Sequence, residues 1–278
     1  MGKNMQFETE IVGKIGSMAL VDKAGGDIDY NRFARISRQL KPGMVWVSSG
    51  ATEIGRLDYL RRAGHELTGD IDRIKTDYAA QGQAILMQQY RQFIDQAFSV
   101  RQVLVEHNHF NNSLVRAHLK ELLLRCREQN AVPVVNYNDA ASCEENRKME
   151  IQALRRARAG VVELVDNDET ASQIACLLKT RYLIILTSAD GIYADPANPA
   201  TLIREIGGRN ADEVVANIDR AKAGCKGASR AGAAGAAAKL EFAKAPVKEG
   251  TTVFIAGADC AFADIISGAA KSTKIGIG

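Results

Sequence analysis

Two runs of unbroken apolar residues, 132–135 and 182–186, each ending in a polar tip, constrain this chain more than any other feature. A run without apolar/polar alternation reads as a strand buried on both faces, the kind that parallel sheets covered by helices require. Run 132–135 delivers Asn136, Asn138 and Asp139 into a loop at its C-terminal end, where an open α/β sheet keeps its ligand site. Run 182–186 ends in Thr187 and Ser188. Between them, Asp166, Asn167 and Asp168 stand just before the helical spacing Ala171, Ile174, Ala175, Leu178. They therefore occupy an N-cap and first turn, whose backbone N–H groups favour anions.

The rest of the chain fits an α/β pattern. Residues 11–15 are strand-like and lead through Lys14 to Gly16 and Ser17, a place where a lysine can hold phosphate and a glycine lets the backbone approach it. Phe33, Ile36 and Leu40 give a helical spacing over 30–40, and 44–47 is a strand followed by Ser48, Ser49, Gly50 and Ala51. These small residues offer hydroxyl and N–H groups at a strand tip without bulk. The spacing predicts a long amphipathic helix over 74–98, broken at Gly82, then a strand over 100–105 and a helix over 114–127. His107 and His109 read as loop residues, since no third metal ligand is spaced nearby. Residues 144–158 are charged and helix-prone, with Met149, Leu154 and Ala157 on one side and Arg155, Arg156 and Arg158 forming a basic cluster. A solvated face is the simpler reading of that helix and a lid or subunit contact the sharper one. After a turn at 197–199 come a strand edge over 203–206, an Ala/Gly-rich stretch over 221–238, and a late strand over 252–255.

With 278 residues, 46% hydrophobic and 25% charged, the chain can bury a large core as one domain without a metal or disulfide staple. A net charge of +3 does not announce a polyanion binder, so no nucleic-acid partner is expected. The five cysteines are odd in number and dispersed, which reads as reduced thiols. No apolar stretch approaches a membrane span, and residues 1–6 form no signal peptide, so the expectation is a cytoplasmic protein without a membrane partner.

Three ordered motifs carry a resemblance: Asn-Tyr-Asn-Asp at 136–139, Asp-Asn-Asp-Glu-Thr-Ala-Ser at 166–172, and Leu-Thr-Ser-Ala-Asp-Gly-Ile-Tyr-Ala-Asp-Pro at 186–196. In that order they resemble the amino acid kinase family, and within it the glutamate 5-kinase branch. The resemblance runs from Lys14 to Gly257 and implies a three-layer α/β/α sandwich with a mainly parallel central sheet. It implies one kinase domain over 1–278, with the acceptor on its N-terminal half and the nucleotide on its C-terminal half. Residues 140–165 would be a helical insertion, because the branch crosses this gap with a shorter segment.

By the same resemblance Lys14, Lys239 and Asp168 are catalytic: the lysines steady the moving phosphoryl group and Asp168 orients them. Ser49, Gly50, Ala51, Asp139 and Asn167 would hold the acceptor. Lys14, Gly16, Thr187, Ser188, Tyr193, Gly235 and Lys239 would meet the nucleotide, with Lys239 on a solvated loop. ATP and Mg²⁺ are the implied cofactors, no protein metal site is implied, and a homo-oligomer is expected. The implied reaction is phosphorylation of a carboxylate, the γ-carboxylate of L-glutamate, as in proline biosynthesis. The sequence departs from the pattern at Met18, Tyr137, Ser188 and the alanines around Gly232 and Gly235. Those departures keep two alternatives open: a different acceptor, such as another amino acid, carbamate or a UMP-like phosphate, or a degenerate kinase acting as a binding subunit. On the 278 residues given, the additional RNA-binding-like domain of many bacterial members is not expected.

Overall fold

The computed structural model describes residues 6–22, 24–142, 144–224 and 235–278. In chain order these form β1 (Thr9–Ile15), β2 (Val21–Asp22), β3 (Asp27–Ile28), α1 (Tyr30–Ser37), β4 (Met44–Ser48), α2 (Ala51–Ala63), α3 (Ile71–Phe93) and β5 (Ser99–Val105). There follow α4 (Asn108–Asn111), α5 (Ser113–Glu128), β6 (Ala131–Tyr137), α6 (Glu144–Ala157), α7 (Asn167–Leu177), β7 (Thr180–Thr187), β8 (Ile192–Tyr193) and β9 (Leu202–Ile203). The chain closes with β10 (Glu205–Gly208), α8 (Ala211–Gly224), α9 (Ala236–Lys248), β11 (Thr252–Gly257), α10 (Phe262–Ser267) and β12 (Ser272–Ile277). Eight of the strands belong to a mainly parallel sheet flanked by helices, the α/β class that the apolar runs imply.

The chain divides into two compact units, residues 1–15, 43–47 and 168–278 in one and 16–42 and 48–167 in the other. The first unit holds six strands of the sheet in the order β10-β12-β11-β7-β1-β4. Strand β7 pairs in parallel with both β1 and β11, and β11 pairs antiparallel with β12. Its interior strands are apolar on both faces: Leu183, Ile184, Ile185 and Leu186 of β7 are fully buried, as the unbroken run requires. Gly13 admits the ring of Trp46, since a Cβ there would lie 2.4 Å from Trp46 Cζ3, and Trp46 packs on Phe262 at 5.8 Å.

The second unit contributes β5 and β6, paired in parallel, with every residue of β6 buried. Its helices α2 and α3 pack at backbone contact. A Cβ on Gly55 would lie 1.8 Å from Tyr78 O, and one on Gly82 1.9 Å from Ala51 O. Helix α3 therefore runs through Gly82 unbroken, and that glycine serves close packing where a break was expected. The helix also ends at Phe93 and not at 98, because residues 94–98 turn towards β5.

Several expectations need correction. Among the described residues of α6 it is Ile151 that is buried, whereas Met149 is 62% exposed and Ala157 lies at the surface. His109 sits in α4, not a loop, and its Nδ1 accepts from Glu106 N. Asn136 is inside β6 and buried. Helix α8, helix α10 and strand β12 were not anticipated from the sequence. Gly232, Ala233 and Ala234 of the Ala/Gly-rich stretch lie outside the described residues.

Candidate active site

In the first unit three elements bring three charged side chains together. Strand β1 presents Lys14 near its C-terminal end, the first turn of α7 presents Asp168, and the first turn of α9 presents Lys239. Lys14 Nζ lies 2.5 Å from Asp168 Oδ1, and Lys239 Nζ donates to Oδ2 at 2.8 Å. The side chain of Asp168 is 2% exposed, that of Lys14 7% and that of Lys239 16%. Lys239 is thus a helical, largely buried ion-pair partner and not a solvated loop lysine. Burial alone would raise the Asp168 pKa, but the two ammonium groups outweigh it and hold the carboxyl below its ordinary value. The position of Asp168 in a helix first turn adds to that preference for charge.

The three carriers are fixed locally. Ser172 Oγ, one helical turn beyond Asp168, donates to Phe242 O of α9 at 2.7 Å, so α7 and α9 are tied next to the ion pairs. Gly235 opens α9, its carbonyl accepting from the N–H groups of Ala238 and Lys239. Parallel register sets Ile15 of β1 opposite Leu186, and Thr187 of β7 opposite Gly257 of β11. Thr187 and Ser188 consequently stand at the C-terminal ends of buried strands, Thr187 half-buried and Ser188 exposed. Tyr193 is half-buried on β8, and its hydroxyl reaches Asp190 Oδ2 at 3.4 Å.

The second unit gathers the residues expected at the acceptor. Gly50 precedes α2 with φ of 116°, a conformation that strongly favours glycine, and its carbonyl accepts from Ile54 N. Ala51 begins the helix, and Ser49 is half-buried beside it. Ser48 Oγ donates to Ser49 O at 2.9 Å and lies 2.8 Å from Tyr90 OH.

An amide chain fixes the other side of this unit. Asn136 Nδ2 donates to Gln83 Oε1 at 2.8 Å, and Asn167 Nδ2 donates to Asn136 Oδ1 at 3.0 Å. Asn167 Oδ1 in turn accepts from Tyr137 N at 3.2 Å. Asn138 is held by Glu106 Oε1 at 2.6 Å. Asp139, half-buried, has its pKa pushed up to about 6 by burial, with only partial relief from the charges of Arg147 and Lys75. Gly16 also belongs to this unit, where its carbonyl closes a short turn by accepting from Ala19 N.

Helix α6 of the 140–165 segment is anchored within the same unit. Ile151 is buried, Glu150 meets His107 Nε2 at 2.8 Å, Arg155 pairs with Glu163, and Arg158 donates to Asn111 O and Oδ1. Asn111 also binds Val162 through both its N–H and its carbonyl. The basic cluster is therefore partly consumed in holding the segment down. Sequence reading missed Ser172 as a positioning group and Arg147 as a charge that acts on Asp139; for Arg147 no periodicity or spacing would have signalled it.

Comparison with known proteins decides the family. The Amino acid kinase family model matches residues 9–257. The chain belongs to the amino acid kinase family. Among curated family relatives, the glutamate 5-kinase of Streptococcus suis is 28% identical over 255 residues, covering 89% of this chain and 64% of its own. That of Geobacillus thermodenitrificans is 30% identical over 277 residues, covering 96% of this chain and 67% of its own. The chain thus spans about two thirds of the length of the curated relatives it matches. A carbamate kinase from Giardia lamblia, bound to AMP-PNP, superposes with a TM-score of 0.60 at 16% identity, covering 98% of this chain and 99% of that one. That likeness is one of fold.

Proposed function

We propose that this family member transfers the γ-phosphoryl group of ATP to a carboxylate, and that the acceptor is the γ-carboxylate of L-glutamate. The observation that carries the proposal is the buried Lys14–Asp168–Lys239 arrangement. A carboxylate that bridges two lysines holds two ammonium groups at one place. Phosphoryl transfer asks little covalent chemistry of a protein; it needs positioning and neutralisation of charge on the moving group, which two fixed ammonium groups supply. A carboxylate acceptor is already an anion at neutral pH and needs no general base. The glutamate 5-kinase relatives support the choice of glutamate.

Within the nucleotide set, Lys14 and Lys239 would meet the phosphates, with Gly16, Thr187, Ser188, Tyr193 and Gly235 lining the remainder. Ser49, Gly50 and Ala51 would offer a helix N-terminus to an acceptor carboxylate, Asn167 a fixed amide, and Asp139 a carboxylate for the ammonium. Among the described residues no group of three His, Cys, Asp or Glu side chains could hold a metal ion, and both oxygens of Asp168 face lysines. Mg²⁺ would arrive on the nucleotide phosphates, as such enzymes commonly receive it. A cytoplasmic homo-oligomer is part of the same proposal.

The test is ADP release measured in parallel with glutamate, N-acetylglutamate, aspartate and UMP. Turnover with glutamate well above the other three is expected. A preference for UMP, or ATP hydrolysis indifferent to all four, would overturn the glutamate reading.

A further inference from the structure

The inserted helix α6 sets over the ring of Tyr137, two residues before Asp139, a cation that the family motifs do not contain. Arg147 is half-buried, its guanidinium carbon lies 5.9 Å from the centroid of the Tyr137 ring, and one amino group donates to Leu164 O at 3.2 Å. The ring is itself fixed, because Tyr137 is buried and its hydroxyl lies 2.6 Å from Ser142 Oγ. Arginine held on an aromatic face is pre-organised, so less rotamer entropy is lost when it takes a ligand. The remaining basic residues of the helix are poor rivals: Arg155 faces Glu163, Arg158 faces Asn111, and Arg156 is exposed. Lys75, the other cation whose field reaches Asp139, is exposed and bound to Asp72 at 3.3 Å.

An α-amino acid carries its ammonium and α-carboxylate on one carbon, so whatever holds the ammonium fixes where the carboxylate lies to within a few bond lengths. Asp139 is a half-buried carboxylate two residues beyond the Tyr137 ring on which Arg147 rests, and the charges of Arg147 and Lys75 only partly offset its burial, which suits it to an incoming ammonium. We propose that Arg147 is a specificity residue: its guanidinium fork receives the α-carboxylate of the acceptor while Asp139 receives the ammonium, so that α6 reads the head group of a free α-amino acid. The proposal rests on the amino acid acceptor put forward above and adds the group that reads it. Acceptors lacking an α-carboxylate would be rejected because the guanidinium would be left without its anion in a partly desolvated place.

The test compares L-glutamate with its α-carboxamide, isoglutamine, which keeps the ammonium and the γ-carboxylate but loses the α-charge. For the unaltered protein kcat/KM should favour glutamate by about 10- to 100-fold, the span of one charge-assisted hydrogen-bonded contact. In Arg147→Gln that preference should fall to about threefold or less, mainly through a higher KM for glutamate with the KM for ATP unchanged. Arg156→Gln should keep the full preference. Arg147→Lys, which retains the charge but not the fork, should fall between, and it serves if the glutamine variant does not fold. A preference that persists in every folded variant of Arg147, or one that Arg156→Gln also removes, overturns the proposal. Absence of turnover with glutamate in the unaltered protein would instead overturn the acceptor assignment itself.

Discussion

The two units treat a carboxylate shielded from water in opposite ways. Asp168 has an ammonium on each oxygen and is held below its ordinary pKa despite being 2% exposed. Asp139 has cations within reach but none bonded, and burial pushes it up to about 6. The first carboxylate is paired with cations from inside the fold, and in the proposed function it positions two lysines. Among the described residues the second has no bonded cation, and in the proposed function the acceptor's ammonium supplies one. Burial is common to both; what separates organiser from receptor is whether the fold itself supplies the counter-charge.

The largest effects should come from breaking the paired member. Asp168→Asn would leave Lys14 and Lys239 facing each other in a buried place without their shared anion, and should cost about 3–5 kcal/mol of stability. Urea denaturation reads this directly, and a loss near zero would show that the lysines find solvent easily. Lys239→Ala is gentler on the fold, because Lys14 still holds Asp168. It should lower kcat about 100- to 1000-fold while Tm falls only modestly, since the missing charge would act mainly in the transition state. A wild-type kcat would separate the lysine pair from phosphoryl transfer.

Asp139 sharpens the contrast through pH. Its folded pKa is raised above the unfolded value near 4, so its cost to stability is absent at pH 4 and grows until pH passes about 6. Asp139→Asn should therefore raise Tm at pH 7.5 and leave it unchanged at pH 4, opposite in sign to Asp168→Asn. In the same variant the KM for the acceptor should rise about tenfold or more with little change for ATP. For the unaltered protein, acceptor KM should climb as pH drops below about 6, a slope that Asp139→Asn removes. The smallest effect belongs to Arg155, Arg156 and Arg158. Changing all three to Gln should leave glutamate kcat/KM within about twofold, because exposed ion pairs contribute little and two of the three already serve the segment itself.

Much of this arrangement was legible in the residues. Apolar runs without alternation gave β6 and β7, and the polar tips after them mark the strand ends where Thr187 and Asp139 stand. The family resemblance assigned Lys14, Asp168 and Lys239 to one catalytic set, and the fold sets both lysines on Asp168 although they lie 225 positions apart in the sequence. What was not legible depends on contacts at a distance. Gly82 signals a helix break when read alone, yet it exists so that α2 can touch α3. Met149 is a plausible core residue by composition, but it is exposed and Ile151 is buried. Arg147 lies in a charged stretch that reads as a solvated face, and only the position of Tyr137 gives it a role.

The central claim is that the lysine pair on Asp168 serves transfer to a carboxylate, and trapping the product tests it most directly. Incubation with ATP, Mg²⁺, glutamate and hydroxylamine converts an acyl phosphate to a stable hydroxamate that can be quantified against ADP. The account predicts hydroxamate in step with ADP for the unaltered protein and a drop of about 100-fold or more for Lys239→Ala. ADP without hydroxamate, or equal hydroxamate from the variant, would contradict it.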